Sequence, residues 1–411
     1  MAIADNTLTI PPMSKYPRIV VARLLSLPAL FLLVHSGAAR ADDIPRPPAV
    51  PDRIGRAQVF DYRISDKRSL LGKRDILWGS GDKKVEGLYS LKYMMTDRDP
   101  EQKHDIGWYK ANHPDWVSYK NDRTSPAHEF QYSWGFNTPV DVTNSAAREY
   151  LWEANLGKIL GTHRFEGIAV DNVECRNEYL RGGVWNNGGW QQQYEGTKKV
   201  DAAYARDTAE WMEWLAGRAH AAGMSLVANH YPHVDDEAGY RLVASKLDII
   251  CDEQGYTRGG KAMASDDTWV KKMTLFAELA RTKPIIVIDQ LTKDPATVTP
   301  EVINWALANY LLMKGDWTYV AWPTEDVYGR FDDYPELYLP IGRPLEPFRH
   351  DGGVYRRRFE KVLALVNPAK TASASYQLNS GRWHDLHGTE RQGTLELPPG
   401  SGLVLIRDSE H

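Results

Sequence analysis

Four apolar runs in the middle of the chain end alike. Gly167-Ile168-Ala169-Val170 runs into Asp171-Asn172, and Ser225-Leu226-Val227-Ala228 into Asn229-His230. Asp248-Ile249-Ile250-Cys251 runs into Asp252-Glu253, and Ile285-Ile286-Val287-Ile288 into Asp289-Gln290. One acid at such a point is an ordinary helix N-cap, but four polar ends in succession, on parallel strands, describe one shared mouth. Two carboxylates at a mouth offer the chemistry of glycosidic-bond cleavage. One stays ionised to attack or to activate water, and the other stays protonated to serve the leaving oxygen. Asp171 suits the ionised role, because Asn172 and the polar residues beyond it can hydrogen-bond it. Asp252 and Glu253 are neighbours on a strand and point to opposite sides, so only one of them can face the mouth squarely. The longer reach of Glu favours Glu253 as the acid. Asn172, Asn229, His230, Asp252 and Asp289 are then expected to contact the substrate.

Side chains with a flat apolar face and a polar edge suit a sugar ring, and the chain holds 14 Trp and 21 Tyr against 9 Phe. Large cores also consume aromatics, so position has to decide between the two uses. Trp78, Trp116, Tyr256 and Trp322 lie near other strand ends and are expected to line subsites. The long loop from Val173 carries Trp185-Asn186-Asn187-Gly188-Gly189-Trp190 and then Gln191-Gln192-Gln193-Tyr194. Trp185 and Trp190 either form a sugar-binding lip or pack back on the protein, and both readings stand. His230 and His233 are three apart without a third ligand, so a substrate hydrogen bond or a cap is preferred to a metal. Asp235-Asp236 reads as a helix start. Cys175 and Cys251 both lie near the acidic positions, where a disulfide and buried free thiols are equally open. Neither belongs to a zinc ligand set, and the residues imply no cofactor.

These residues need elements to position them. Candidate strands are Ile76–Gly79, Trp116–Tyr119, Val140–Val142, Phe165–Val170, Ser225–Asn229, Leu247–Cys251, Pro284–Ile288 and Thr318–Ala321. Between them lie helical patterns such as Ala203–Ala222, Thr268–Arg281 and Pro300–Met313, the last with Thr299 as N-cap and Pro300 at its first position. Strand and helix alternating about eight times predict an α/β fold, a (β/α)₈ TIM barrel over residues 75–344. The rival open doubly wound sheet would carry a Gly-rich phosphate turn after an early strand, and none is present. From Leu345 to Asp408 the pattern changes to short alternating strands separated by Pro, Gly and Asn turns, a small C-terminal all-β, sandwich-like domain. Residues 42–74 read as an N-terminal extension or linker.

The first 41 residues form an export signal: Lys15, Arg18 and Arg23, then the apolar run Leu24 to Val34, then Ala39-Arg40-Ala41. The run is too short to span a bilayer, so a periplasmic or secreted protein without stable membrane insertion is expected. Cleavage removes four bases and one acid, taking the formal charge from −4 to −7. An acidic chain without basic runs is a poor match to nucleic acid or an anionic membrane. A neutral carbohydrate fits.

The stretch Phe165-Glu166-Gly167-Ile168-Ala169-Val170-Asp171-Asn172-Val173 resembles the fourth-strand motif of barrel glycosidases of the dextranase, α-amylase and α-galactosidase groups. More closely, residues 75–408 resemble the bacterial hypothetical glycosyl hydrolases of provisional family 15. The resemblance rests on Trp108-Tyr109, Asn112-His113-Pro114-Asp115-Trp116-Val117, Val140-Asp141-Val142-Thr143-Asn144, Gly342-Arg343-Pro344-Leu345 and Gly352-Gly353-Val354-Tyr355 through Glu360. It implies a nucleophile at the fourth strand end and a later Glu as acid/base, matching Asp171 and Glu253. A poly- or oligosaccharide is the implied substrate. Two alternatives share the scaffold: a non-catalytic carbohydrate-binding or polysaccharide-assembly protein, and a transglycosylase. A binding protein would need the aromatics but not both carboxylates.

Overall fold

The computed structural model describes residues 44–408, except 82–83, 99–103, 128–129, 133–134, 158, 160–164, 259–260, 263–265, 326–327 and 380. The export segment lies outside the described residues. Eight parallel strands close into a barrel in chain order. They are β1 (Gly55–Val59), β2 (Ile76–Ser80), β3 (Tyr89–Met95), β4 (Gly167–Val173), β5 (Ser225–His230), β6 (Ile249–Asp252), β7 (Ile285–Ile288) and β8 (Thr318–Ala321). Gly55 opposite Tyr319 and Arg56 opposite Val320 make the closing seam.

Two expected strands are replaced. The barrel starts at β1, inside the stretch read as a linker, because Gly-Arg-Ala-Gln-Val turns only Ala57 and Val59 inward and carries too little apolar signal to stand out. The third strand is β3 rather than Trp116–Tyr119 or Val140–Val142. Those two apolar runs do pair, through a Val117–Val140 bridge, but outside the barrel in the long loop after β3. The two additions and two losses leave Gly167–Val173 as the fourth strand.

Side chains follow the period of two. Leu91, Ala169, Val227, Cys251 and Ile288 face the barrel interior. Val170, Leu226, Ala228, Ile250 and Val287 face the helix layer. That layer is uneven. Helices α1 (Ile106–Asn112) and α2 (Ser145–Leu156) follow β3, α3 (Ala202–Ala221) follows β4, and α4 (Glu237–Ala244) follows β5. Helices α5 (Asp266–Leu279) and α6 (Pro300–Met313) follow β6 and β7, while β1, β2 and β8 lead into loops and short 3₁₀ turns. Among the described residues no helix is long and apolar enough to cross a membrane.

Residues 349–407 form a six-stranded antiparallel sheet and a two-stranded one. Val362–Asn367 in the middle of the large sheet is buried on both faces. Leu363 and Leu365 meet Leu405, Leu395 and Leu397 inside the β module, and Val362, Ala364 and Val366 pack against the helix layer around the barrel. Helix α6 is the contact. Asn304 on it accepts from Val404 N at 3.0 Å, and Arg357 donates to the α6 carbonyls of Leu311 and Leu312 and to Lys314 O, a cationic cap at the negative helix end. Gly402 lies so close to the helix that a Cβ there would sit 2.9 Å from Trp305 Cα.

Candidate active site

The C-terminal end of the barrel gathers the side chains one step beyond the inward-facing positions. Asp171 follows Ala169, Asn229 follows Val227, Glu253 follows Cys251 and Tyr93 follows Leu91 at the same parity. Strand β4 ends irregularly, with its pairing to β5 shifted after Val170 and Asn172 at φ 58°. That left-handed conformation is one that Asn tolerates better than most residues. Asn172 contributes through its backbone, whose N–H donates to Asp171 Oδ1 at 2.8 Å.

Asp171 is surrounded by donors. Tyr93 O–H donates to Oδ2 at 2.7 Å, and Asn229 Nδ2 donates to Oδ1 at 2.9 Å. The same Nδ2 donates to Glu253 Oε2 at 2.6 Å, so one amide bridges both carboxylates. Their bridged oxygens are therefore no more than about 5.5 Å apart. Tyr328, from the loop after β8, donates to Glu253 Oε1 at 2.5 Å, and Gln290 hydrogen-bonds the Tyr328 hydroxyl. Burial pushes the Glu253 carboxyl up to about 7, Asp171 adds to the rise, and the Tyr328 and Asn229 hydrogen bonds oppose it. Burial and the neighbouring acids push both phenols far up, so Tyr93 and Tyr328 remain donors. One carboxylate thus accepts from three donors, and its neighbour holds a proton near neutrality. Such a pair can attack one side of a bond and protonate the other.

Several expected contacts lie elsewhere, and parity is the usual reason. Asp252 faces the helix layer, fully buried, 2.7 Å from Lys272 Nζ. Asp289, also outward, accepts from the backbone N–H groups of Tyr256 and Thr257 at 2.5 and 3.0 Å. His230 is outward too, its ring nitrogens against Val173 O and Tyr240 O and its ring stacked on Tyr240 at 4.2 Å. Tyr256 is buried with its hydroxyl toward Met273 and Met313. The aromatics are spent on packing. Trp78, 1% exposed, fills the barrel interior, and Trp322 is buried beside Tyr334. Trp116 stacks on His113 at 3.8 Å. Trp185 and Trp190 face each other across the Gly183–Asn186 and Gly189–Gln192 hairpin, with their N–H groups given to Arg123 O and Gln192 Oε1. Cys175 and Cys251 are free buried thiols in separate core layers.

Three contributors were not anticipated. Tyr93 was signalled by the alternation Tyr89-Leu91-Tyr93 that marks β3. Gln290 has the inward parity of Ile288. Tyr328 sits on a loop, where no periodicity announces it.

The outward acids predict a stability phenotype. Asp252→Asn leaves Lys272 buried beside a neutral amide and is expected to cost about 3–5 kcal/mol in urea or thermal unfolding. Loss of turnover at unchanged stability would instead place Asp252 at the chemistry. Burial pushes Asp289 up to about 7 against its two backbone hydrogen bonds. Its contribution to stability is therefore present in acid and lost as pH rises through about 7.

A closed parallel barrel whose strand ends bring an aspartate and a raised-pKa glutamate onto one bridging amide has the architecture of a glycoside hydrolase barrel. Residues 89–362 match the model of hypothetical glycosyl hydrolase family 15, and the chain belongs to that family. No curated protein sequence matches it. Solved structures of similar fold include an Anoxybacillus α-amylase, at 13% identity and TM-score 0.41, over 79% of this chain and 76% of that one. The cycloalternan-degrading enzyme from Trueperella pyogenes is similar at 10% identity and TM-score 0.43, over 90% of this chain and 64% of that one. A dextranase from Flavobacterium johnsoniae, solved with isomaltotriose, is similar at 10% identity and TM-score 0.44, over 88% and 52%. The chain thus spans less than two thirds of the length of the latter two.

Proposed function

We propose that the protein is an exported, retaining glycoside hydrolase acting on a poly- or oligosaccharide, with Asp171 as nucleophile and Glu253 as acid/base. The observation that carries this reading is the Asn229 amide donating to both carboxylates. In the first step Asp171 attacks the anomeric carbon, the bond to the leaving oxygen breaks, and the Glu253 proton goes to that oxygen. In the second, Glu253 takes a proton from water, the water oxygen bonds to the anomeric carbon, and Asp171 leaves. The two bridged oxygens, no more than about 5.5 Å apart, suit this double displacement, whereas inversion needs carboxyl groups roughly 6.5–9.5 Å apart to admit a water.

The purified mature protein, screened against a polysaccharide and oligosaccharide panel, is expected to release products whose first-formed anomer, read by proton NMR, matches that of the bond cleaved. Absence of hydrolysis across the panel would count against the reading, and an opposite anomer against retention alone. Export rests on the charged, apolar and Ala39-Arg40-Ala41 segments of the N-terminus. N-terminal sequencing of the protein outside the cytoplasm should begin at Asp42, and an intact N-terminus on cytoplasmic protein would contradict it.

A further inference from the structure

Tyr62, in the loop after β1, is 63% exposed, more than any other large apolar side chain at the described surface. Burying such a ring is favourable, yet Tyr62 keeps most of its surface in solvent, with the Arg63 guanidinium 5.9 Å from its centre. Its position is linked to the site by rings. Tyr62 contacts Phe60 at 5.6 Å between centroids, and Phe60 contacts Tyr93 at 5.4 Å and Tyr328 at 5.7 Å. Those two tyrosines hold Asp171 and Glu253.

The ring is also held still. Gly329, at φ 81°, comes so close that a Cβ there would lie 2.7–3.0 Å from three of the Tyr62 ring carbons, so bare backbone backs the ring. Arg63 N donates to Gly329 O at 3.3 Å, tying the two loops together. Beneath them, buried Asp61 accepts from Lys67 Nζ at 2.7 Å and from Ser80 Oγ at 3.1 Å. An exposed aromatic on a braced loop has already given up the freedom that binding would cost it.

We infer that Tyr62 is a stacking platform for a saccharide unit of the bound chain beyond the one that Asp171 attacks, an inference that rests on the proposed glycosidase site. The flat ring would meet the apolar C–H face of a neutral pyranose, its back supported by Gly329 and Phe60.

The test separates binding from turnover. Maltotriose, isomaltotriose, cellotriose and xylotriose, and the corresponding monosaccharides, are titrated by calorimetry into the mature chain carrying Asp171→Asn. At least one trisaccharide should bind. Adding Tyr62→Ala should weaken it about tenfold, while Tyr62→Phe should stay within about twofold and monosaccharide binding should not change. An equal trisaccharide affinity with Tyr62→Ala, or binding by none of the four, overturns the platform. Unaltered hydrolysis by Asp171→Asn overturns the catalytic reading instead, whatever Tyr62 does.

Discussion

Asp171→Asn is expected to lower kcat by about 10⁴-fold or more, with less than about 1 kcal/mol change in unfolding free energy. The amide is nearly isosteric but is a poor nucleophile toward the anomeric carbon. In the half-buried site the amide can keep its oxygen on Asn229 Nδ2 and the Asn172 N–H and donate its own N–H to the Tyr93 hydroxyl oxygen, whose proton then turns away. The comparison with Asp252→Asn is informative, since the two changes are chemically identical. One removes a carboxylate at the mouth and should silence a stable protein, and the other strips a buried partner from Lys272 and should destabilise it. Paired kinetics and denaturation curves check both.

Glu253→Gln is expected to discriminate by leaving group. Natural sugar leaving groups need the proton, so their kcat/KM should fall by about 10²–10⁴-fold, while activated aryl glycosides should lose far less in the first step. The wild-type rate should also fall as pH rises through about 7, because burial beside Asp171 holds the Glu253 proton to that point. The variant should lack this limb. Stability carries the same sign. A carboxyl raised in the folded state contributes most below its ordinary value and loses that contribution as pH rises through about 7. The Gln variant should therefore be more stable relative to wild type at pH 8 than at pH 4. A leaving-group-independent loss with the basic limb intact would remove Glu253 from the acid role.

Much of this arrangement was legible in the residues. The strands with continuous apolar cores, β4 through β8, were readable because burial on both faces makes them uniformly apolar. The Thr299 cap of α6 and the Asp236 cap of α4 followed from their residue types. What failed had a physical cause. β1 has two inward apolar side chains, and the Trp116 and Val140 runs are as apolar as strands because they fill a loop core beside the barrel. Alternation set Asp252 and Glu253 on opposite sides, as they stand, but only the longer reach of Glu chose between them. The same rule applied to His230 and Asp289 would have set them outward. Trp78, Trp116 and Trp322 show that a strand-end aromatic is as useful to a core as to a sugar, and only burial separates the two. Tyr62 and Tyr328 sit on loops outside any period, and their place depends on closure of the barrel across β1 and β8.

Azide rescue of Asp171→Ala and Glu253→Ala tests the central assignment most directly, because azide enters from whichever side has been emptied. With an activated aryl glycoside of the best sugar, Asp171→Ala plus azide should give the glycosyl azide of inverted configuration, formed by direct displacement where the nucleophile stood. Glu253→Ala plus azide should give the retained glycosyl azide, formed from the Asp171-bound intermediate. The account predicts this opposite pair of products by NMR. The reverse pair, or rescue of neither variant by azide, would contradict it.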